Sequence, residues 1–141
     1  MRMLILHVDY FSCSLTEKGR SKVVEKPISK TTEAGESLLV LSSVEKQDEA
    51  NPKAISQKTV DELNKLARQL KVDTIVIHPF AHLFGDLSSP EAAVEILTLI
   101  GEGLARLGFT VLRTPFGWFN TLELRAKGHP LSRIARQIAL G

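Results

Sequence analysis

Four short apolar runs punctuate the chain: MLILHV at 3 to 8, LLVLSSV at 38 to 44, TIVIH at 74 to 78 and FTVL at 109 to 112. Runs of this length, rich in branched side chains and nearly continuous in hydrophobicity, predict buried strands of a covered sheet. Between them the period changes to that of a helix. Asn51 and Pro52 form an N-cap and first-turn pair, after which Ile55, Leu63, Leu66, Ala67 and Leu70 recur at helical spacing. The wet face of this amphipathic helix carries Asp61 and Lys65, placed as an i, i+4 ion pair. Ser89 and Pro90 repeat the start signal, Ala93, Ile96, Leu97, Ile100 and Leu104 form a second stripe, and Gly108 supplies the stop. Gly101 and Gly103 weaken that helix and mark close packing. His129 and Pro130 open a third predicted helix, with Leu131, Ile134, Ala135 and Ile138 facing inward.

This order places a helix between the strands at 74 to 78 and 109 to 112, which predicts a right-handed βαβ crossover. Parallel strands end on the same edge, so the segments that follow them, HPFAHL and TPFGWF, stand side by side where open α/β sheets bind ligands. The stretch from Trp118 to Leu124 is expected to return as a hairpin strand, with Asn120 on the face of Leu122 and Leu124. The fold class read from this pattern is α/β, a single domain with a mixed sheet covered by about three helices. No internal repeat or linker divides residues 1 to 141.

Composition narrows the function classes. With 141 residues, 43% of them hydrophobic, the chain is sized for one core. No run of eighteen apolar residues exists, so no membrane span is expected. MRMLILHVDYF reads as a core strand of a cytoplasmic protein rather than a signal peptide, because no small-residue cleavage site follows. Cys13 is the single cysteine, which excludes an internal disulfide and a cysteine-based zinc site. The net charge of +2 is small, but its distribution is uneven. Arg113, Arg125, Lys127, Arg133 and Arg136 face one acid, Glu123. A second basic stretch holds Lys18, Arg20, Lys22, Lys26 and Lys30, diluted by Glu17 and Glu25. Solvated surface and nucleic-acid contact both account for such runs.

His78 and His82 share the helical spacing of four, yet Pro79 holds His78 extended, so they do not form a helical metal pair. His78 reads as a packed or capping residue at a strand end. His82 lies in a loop at the ligand edge, open to substrate or water. His7 and Asp9 fall two apart on one strand face, spaced as a base and its orienter, but no serine or cysteine nucleophile stands beside them. They read as structural.

Taken together and in order, MRMLILHVDYF, LLVLSSVEKQDEANP, HPFAHL, TPFGWF and KGHPLSRIAR resemble the N-terminal editing domain of archaeal threonyl-tRNA synthetases, which has the fold of D-aminoacyl-tRNA deacylases. The resemblance covers essentially the whole chain. It implies a homodimer, part of a longer synthetase or an editing subunit, that hydrolyses serine wrongly attached to threonine tRNA without a cofactor or metal. The task has a physical origin: serine lacks one methyl of threonine, worth only about 1–3 kcal/mol in a pocket, so charging alone cannot be accurate. The resemblance implies that Val44, Pro79, Phe80, Ala81, His82, Pro115, Phe116 and Gly117 line the substrate pocket, mostly through main-chain atoms. His82 and Asn120 are the implied catalytic candidates, with the RNA 2′-hydroxyl helping to activate water. Lys127, His129, Arg133 and Arg136 are candidates for contact with acceptor-stem phosphates. The resemblance also implies a lysine at Asn120, a tyrosine at Phe119 and an acid at Arg133, and this chain departs at all three. Three alternatives stay open: a D-aminoacyl-tRNA deacylase of broader specificity, a non-catalytic module binding tRNA or an amino acid, and, more weakly, a metal hydrolase using His7, Asp9, His78 or His82.

Overall fold

One long strand organises the molecule, as seen in a computed structural model that describes all residues from Met1 to Gly141. Strand β1 runs from Arg2 to Lys18, far beyond the predicted six residues. It is followed by β2 (Thr31–Ala34), β3 (Ser37–Ser43), a 3-10 turn (Lys46–Ala50), α1 (Pro52–Leu70), β4 (Thr74–Pro79), α2 (Pro90–Arg106), β5 (Thr110–Arg113), β6 (Trp118–Ala126) and β7 (Arg133–Gln137). Strands β1 and β3 pair antiparallel, and β3, β4 and β5 are parallel, so the seven-stranded sheet is mixed as expected.

Strand β1 reaches this length because both its edges are occupied in two stages. Residues 2 to 8 pair with β3 on one side, and residues 2 to 6 pair with β7 on the other. Further along, β2 and β6 take over the two edges. Few backbone groups are left open to solvent, which removes the usual penalty of a long strand. A register shift between Val8 and Tyr10 bends it. The shift also changes the face of the sheet to which the odd-numbered positions point. Met3 and Ile5 face the helices, with Leu38, Val40, Ile75 and Ile77, whereas Val8, Phe11 and Cys13 join Leu39, Leu41 and Val76 on the opposite face.

The first two predicted helices form where the caps indicated. The Ala54 N–H donates to Asn51 Oδ1 at 3.1 Å, and the Ala92 N–H to Ser89 Oγ at 3.2 Å. Gly108, at φ +97°, turns the chain out of α2 toward β5. Gly103 explains itself by contact: a Cβ there would lie 2.9 Å from Val60 Cγ2 of α1, so the helices approach more closely than alanine permits. The expected Asp61–Lys65 pair is absent; Asp61 accepts from Gln57 Nε2 at 2.9 Å instead. A carboxylate one turn on from Gln57 gains a neutral partner, and exposed i, i+4 ion pairs are too weak to compete decisively.

The third helix is a correction. Residues 133 to 137 form β7, antiparallel to the first half of β1, leaving two helices rather than about three. Ile134 and Ile138, both buried, stand four apart, a spacing that fits a helix and a strand equally. The open edge of β1 decides in favour of the strand, because the ladder satisfies backbone groups on both partners. His129 begins a tight turn in place of a helix, with the Ser132 N–H donating to the His129 carbonyl at 3.0 Å. Strand β6 is likewise not a hairpin partner of β5; it pairs with β1.

Candidate functional site

The C-terminal ends of β3 and β4, the turn after β5 and the start of β6 surround a cleft of about 640 Å³, closed on one side by the N-terminal half of α2. Every residue placed in a pocket by the resemblance lines it: Val44, Pro79, Phe80, Ala81, His82, Pro115, Phe116 and Gly117. Asn120 lines it too. Two Pro-Phe turns thus meet at the sheet edge, as parallel pairing of β4 and β5 requires.

Main-chain hydrogen bonds fix the walls. The Phe80 N–H donates to the Ser42 carbonyl at 2.8 Å, the Ser88 N–H to the Val44 carbonyl at 3.0 Å and the Thr114 N–H to the Ile77 carbonyl at 3.1 Å. The N–H groups of Ala81, His82 and Gly117 make no hydrogen bond within the protein, so the two Pro-Phe turns and the residues just after them keep backbone donors uncommitted. Ser43 adds a side-chain group in the same condition: it is 2% exposed, lines the cleft, and its hydroxyl has no partner.

His78 is buried and shares a 2.7 Å hydrogen bond between Nδ1 and Thr114 Oγ1, which ties the ends of β4 and β5 together. Its ring packs edge-on against Phe11 at 6.0 Å. Burial pushes its pKa down to about 4, so it is neutral at pH 7. The packed role expected of it holds. His82 is exposed, with its ring edge-on to Phe80 at 5.3 Å. Asn120 donates from Nδ2 to the Trp118 carbonyl at 3.3 Å, leaving Oδ1 without a protein donor.

A wall that the sequence did not reveal comes from residues 19 to 25. The Gly19 N–H donates to the Gly117 carbonyl at 2.7 Å, and the Glu25 N–H to the Phe116 carbonyl at 3.0 Å. The Glu25 carboxylate accepts from the Phe116 N–H at 2.9 Å and from Arg113 at 2.7 Å, while Trp118 Nε1 donates to the Glu25 carbonyl at 2.8 Å. Gly117 sits at φ +91°, and a Cβ on it would lie 2.7 Å from the Val23 carbonyl oxygen, so only glycine fits beneath this strap. Gly19, Arg20 and Ser21 line the cleft from the strap side, and Trp118, Phe119 and Leu122 from β6.

His7 and Asp9 do not pair. The bulge in β1 separates them, and each finds other partners. The Leu131 N–H donates to His129 Nδ1 at 3.3 Å, which leaves the hydrogen of the neutral ring on Nε2. His129 Nε2 then donates to His7 Nδ1 at 2.8 Å, and His7 Nε2 to Glu36 at 3.0 Å. Asp9 accepts from Lys127 and lies 3.4 Å from Arg125. The Lys127 hydrogen bond holds the Asp9 carboxyl below its usual range, and the same bond raises Lys127. Arg136 pairs with Glu62 at 3.1 Å. Of the four basic candidates for RNA contact, Arg133 alone is exposed and without a protein partner. No three His, Cys, Asp or Glu side chains converge as metal ligands would.

Residues 1–138 match the family model described as the archaea-specific editing domain of threonyl-tRNA synthetase. Among curated proteins, the chain is similar to the threonine–tRNA ligases of Methanocaldococcus jannaschii, at 43% identity over 138 residues, and Methanopyrus kandleri, at 42% over 138. It is also similar to that of Thermococcus gammatolerans, at 41% over 141. In each case 98% of this chain is covered but 22% of the relative, so the chain spans about a fifth of the length of these ligases. Among solved structures it is similar to the c-Myc DNA Unwinding Element Binding Protein, with a TM-score of 0.60 and 14% identity, over 99% of this chain and 100% of that one. That last likeness is one of fold alone, and it agrees with the single α/β domain expected from the sequence.

Proposed function

Since the chain belongs to the archaea-specific editing domain of threonyl-tRNA synthetase, we propose that it proofreads by hydrolysing the ester that joins L-serine to the 3′-terminal adenosine of threonine tRNA. The observation that carries this reading is the cleft built from the two Pro-Phe turns, with its uncommitted Ala81, His82 and Gly117 N–H groups. Attack of water on the ester carbonyl places negative charge on the carbonyl oxygen, and fixed backbone donors stabilise such charge without reorganising. A wall of main chain and prolines is also suited to rejecting threonine, because it cannot yield to an added methyl as a flexible side chain does.

The side chains take supporting roles. Asn120 is neither an acid nor a base near neutral pH, so its Oδ1 orients the attacking water or the RNA 2′-hydroxyl, and that hydroxyl assists proton transfer. His82 stands at the cleft edge to position the terminal nucleotide. Val44, Pro79, Phe80, Pro115 and Phe116 shape the serine-sized space. Arg133 is the contact to an acceptor-stem phosphate; Lys127, His129 and Arg136 reach RNA only by exchanging their present partners. No cofactor is needed for hydrolysis of this kind. The reading extends to a homodimer attached to the remainder of a synthetase and working in the cytoplasm on the 3′ end of seryl-tRNA. No helix is long and apolar enough to cross a membrane.

A second reading follows from Asn120. Where the resemblance implies a lysine, this chain has a neutral amide, which favours a module that binds charged tRNA without turnover. Release of amino acid from threonine tRNA charged with L-serine, D-serine or L-threonine, in excess chelator, separates the cases. Loss of L-serine with L-threonine spared supports editing. Preference for the D-enantiomer points to a general D-aminoacyl deacylase, and tight binding with no release of any of the three leaves the binding module.

A further inference from the structure

Five cations between residues 18 and 30 have no partner in the protein. Lys18, Arg20, Lys22, Lys26 and Lys30 are all exposed and none forms an ion pair. The acids of the same stretch do not neutralise them. Glu25 is turned inward, its carboxylate spent on Arg113 and the Phe116 N–H. That leaves Glu17 as the one outward acid against five positive side chains. The segment is also held in place: besides the Gly19 and Glu25 bonds to the 116–117 turn, the Leu15 N–H donates to the Lys30 carbonyl at 2.9 Å. A cationic strap is therefore tied to the wall of the cleft, with Arg20 among the lining residues.

We propose that residues 18–30 form the phosphate-binding rim of the site, gripping the single-stranded 3′ end of an RNA whose terminal nucleoside enters the cleft. Arg20, at the cleft edge, takes the phosphate that joins this nucleoside to the chain, since its planar fork matches phosphate oxygens. Lys18, Lys22 and Lys26 meet phosphates further along the strand as point charges. Contacts of this type position the strand without reading its sequence. Phe119, 58% exposed and part of the cleft lining, offers an aromatic face on which an unpaired base can stack. The inference rests on the proposed function only in supposing that an RNA end occupies the cleft. It differs in placing the main phosphate contacts on the strap, because Lys127, His129 and Arg136 are already committed to Asp9, His7 and Glu62.

The test is the affinity of the full chain for uncharged threonine tRNA, measured between about 50 and 200 mM salt for wild type, Arg20→Ala, Lys22→Ala/Lys26→Ala and, as a charge control on α1, Lys65→Ala. Each phosphate contact to a single strand contributes about −0.7 to the slope of log affinity against log salt. Arg20→Ala should flatten the slope by about that amount and the double variant by about twice as much, with affinity falling several-fold at about 100 mM salt, while Lys65→Ala keeps the wild-type slope. These side chains are exposed, and circular dichroism checks that the variants fold. Wild-type slopes in the strap variants, an equal loss in Lys65→Ala, or no binding by wild type at any salt would each overturn the proposal. Because the ligand is uncharged tRNA, the result is independent of turnover. A chain that binds through the strap but hydrolyses no ester defeats the proofreading reading alone. A chain that releases serine while its strap variants bind like wild type defeats the strap alone.

Discussion

Acidification should weaken the fold through His78. The residue is 3% exposed, packed against Phe11, and bonded at Nδ1 to Thr114. Burial moves its pKa from 6.5 to about 4. The folded pKa lies below the unfolded one, so the neutral ring is what the fold selects. Its contribution is fully present above about pH 6.5 and is lost as pH falls toward 4, because the unfolded chain takes up the proton first. At about 1.4 kcal/mol per pH unit, the gap amounts to about 3 kcal/mol. The assay is urea unfolding of wild type and His78→Asn at pH 7.5, 6, 5 and 4. Asparagine retains an amide for Thr114 and does not titrate in this range. Subtracting the two curves cancels groups common to both, including the depressed Asp9 carboxyl. The stability difference should shift by about 3 kcal/mol against the wild type between pH 7.5 and 4. A difference constant to within about 0.5 kcal/mol, or an NMR titration of His78 near 6.5, would refute the reasoning. The result also bears on chemistry. A ring that stays neutral at pH 7 brings no cation to the cleft it lines, which leaves anion stabilisation in the proposed reaction to the backbone donors.

Other substitutions probe the cleft directly. Gly117→Ala adds a Cβ 2.7 Å from the Val23 carbonyl oxygen at a residue with φ +91°, so it should cost more than about 2 kcal/mol and release the strap, read as a fall in Tm together with loss of serine release. Ser43→Ala removes a buried hydroxyl without a partner. The free protein should be as stable or more stable by up to about 1 kcal/mol, while KM for seryl-tRNA rises; a clear drop in Tm would show that the hydroxyl is satisfied in the free protein. Asn120→Ala should lower kcat by less than about tenfold if backbone donors carry catalysis, equivalent to about 1.4 kcal/mol. Abolition of turnover with binding preserved would place the chemistry on the Asn120 side chain.

What the sequence revealed depended on how local the cause was. The caps at Asn51 and Ser89, the apolar runs of β3 and β4, and the crossover that brings the two Pro-Phe turns together all follow from neighbours within a few residues. Every pocket residue placed by the resemblance lines the cleft for the same reason, since the turns follow the strands directly. The errors arose where distant chain segments decide. Leu131, Ile134, Ala135 and Ile138 satisfy helical spacing, but the open edge of β1, some 130 residues earlier in sequence, selects a strand. Polar Asp9, Ser12 and Ser14 disguised the continuation of β1, because the bulge at residue 9 moves the buried odd-numbered positions from the helix-covered face of the sheet to the opposite one. The same bulge parts His7 from Asp9. Glu25 read as one acid diluting a basic run, whereas its partners Arg113 and Phe116 lie 88 and 91 residues away.

Glu25 also shows how binding and selection are joined in the proposed site. The carboxylate that ties the strap down also accepts from Phe116, so the strap and the Pro115–Gly117 turn are held by one group. The cations around it point the other way, toward solvent. In the proposed complex the RNA phosphates would load the outer side of a segment whose inner side fixes the pocket wall, so that the energy of phosphate binding would act on a wall that must stay rigid. In the proposed reaction selectivity then has its source in backbone geometry, with which neutral Asn120 and Phe119 are compatible: both line the cleft, but neither belongs to the Pro-Phe turns or supplies the anion-stabilising donors. A departure at Glu25, Gly117 or Gly19 would be far more consequential, because each removes a contact on which the position of the Pro115–Gly117 turn depends.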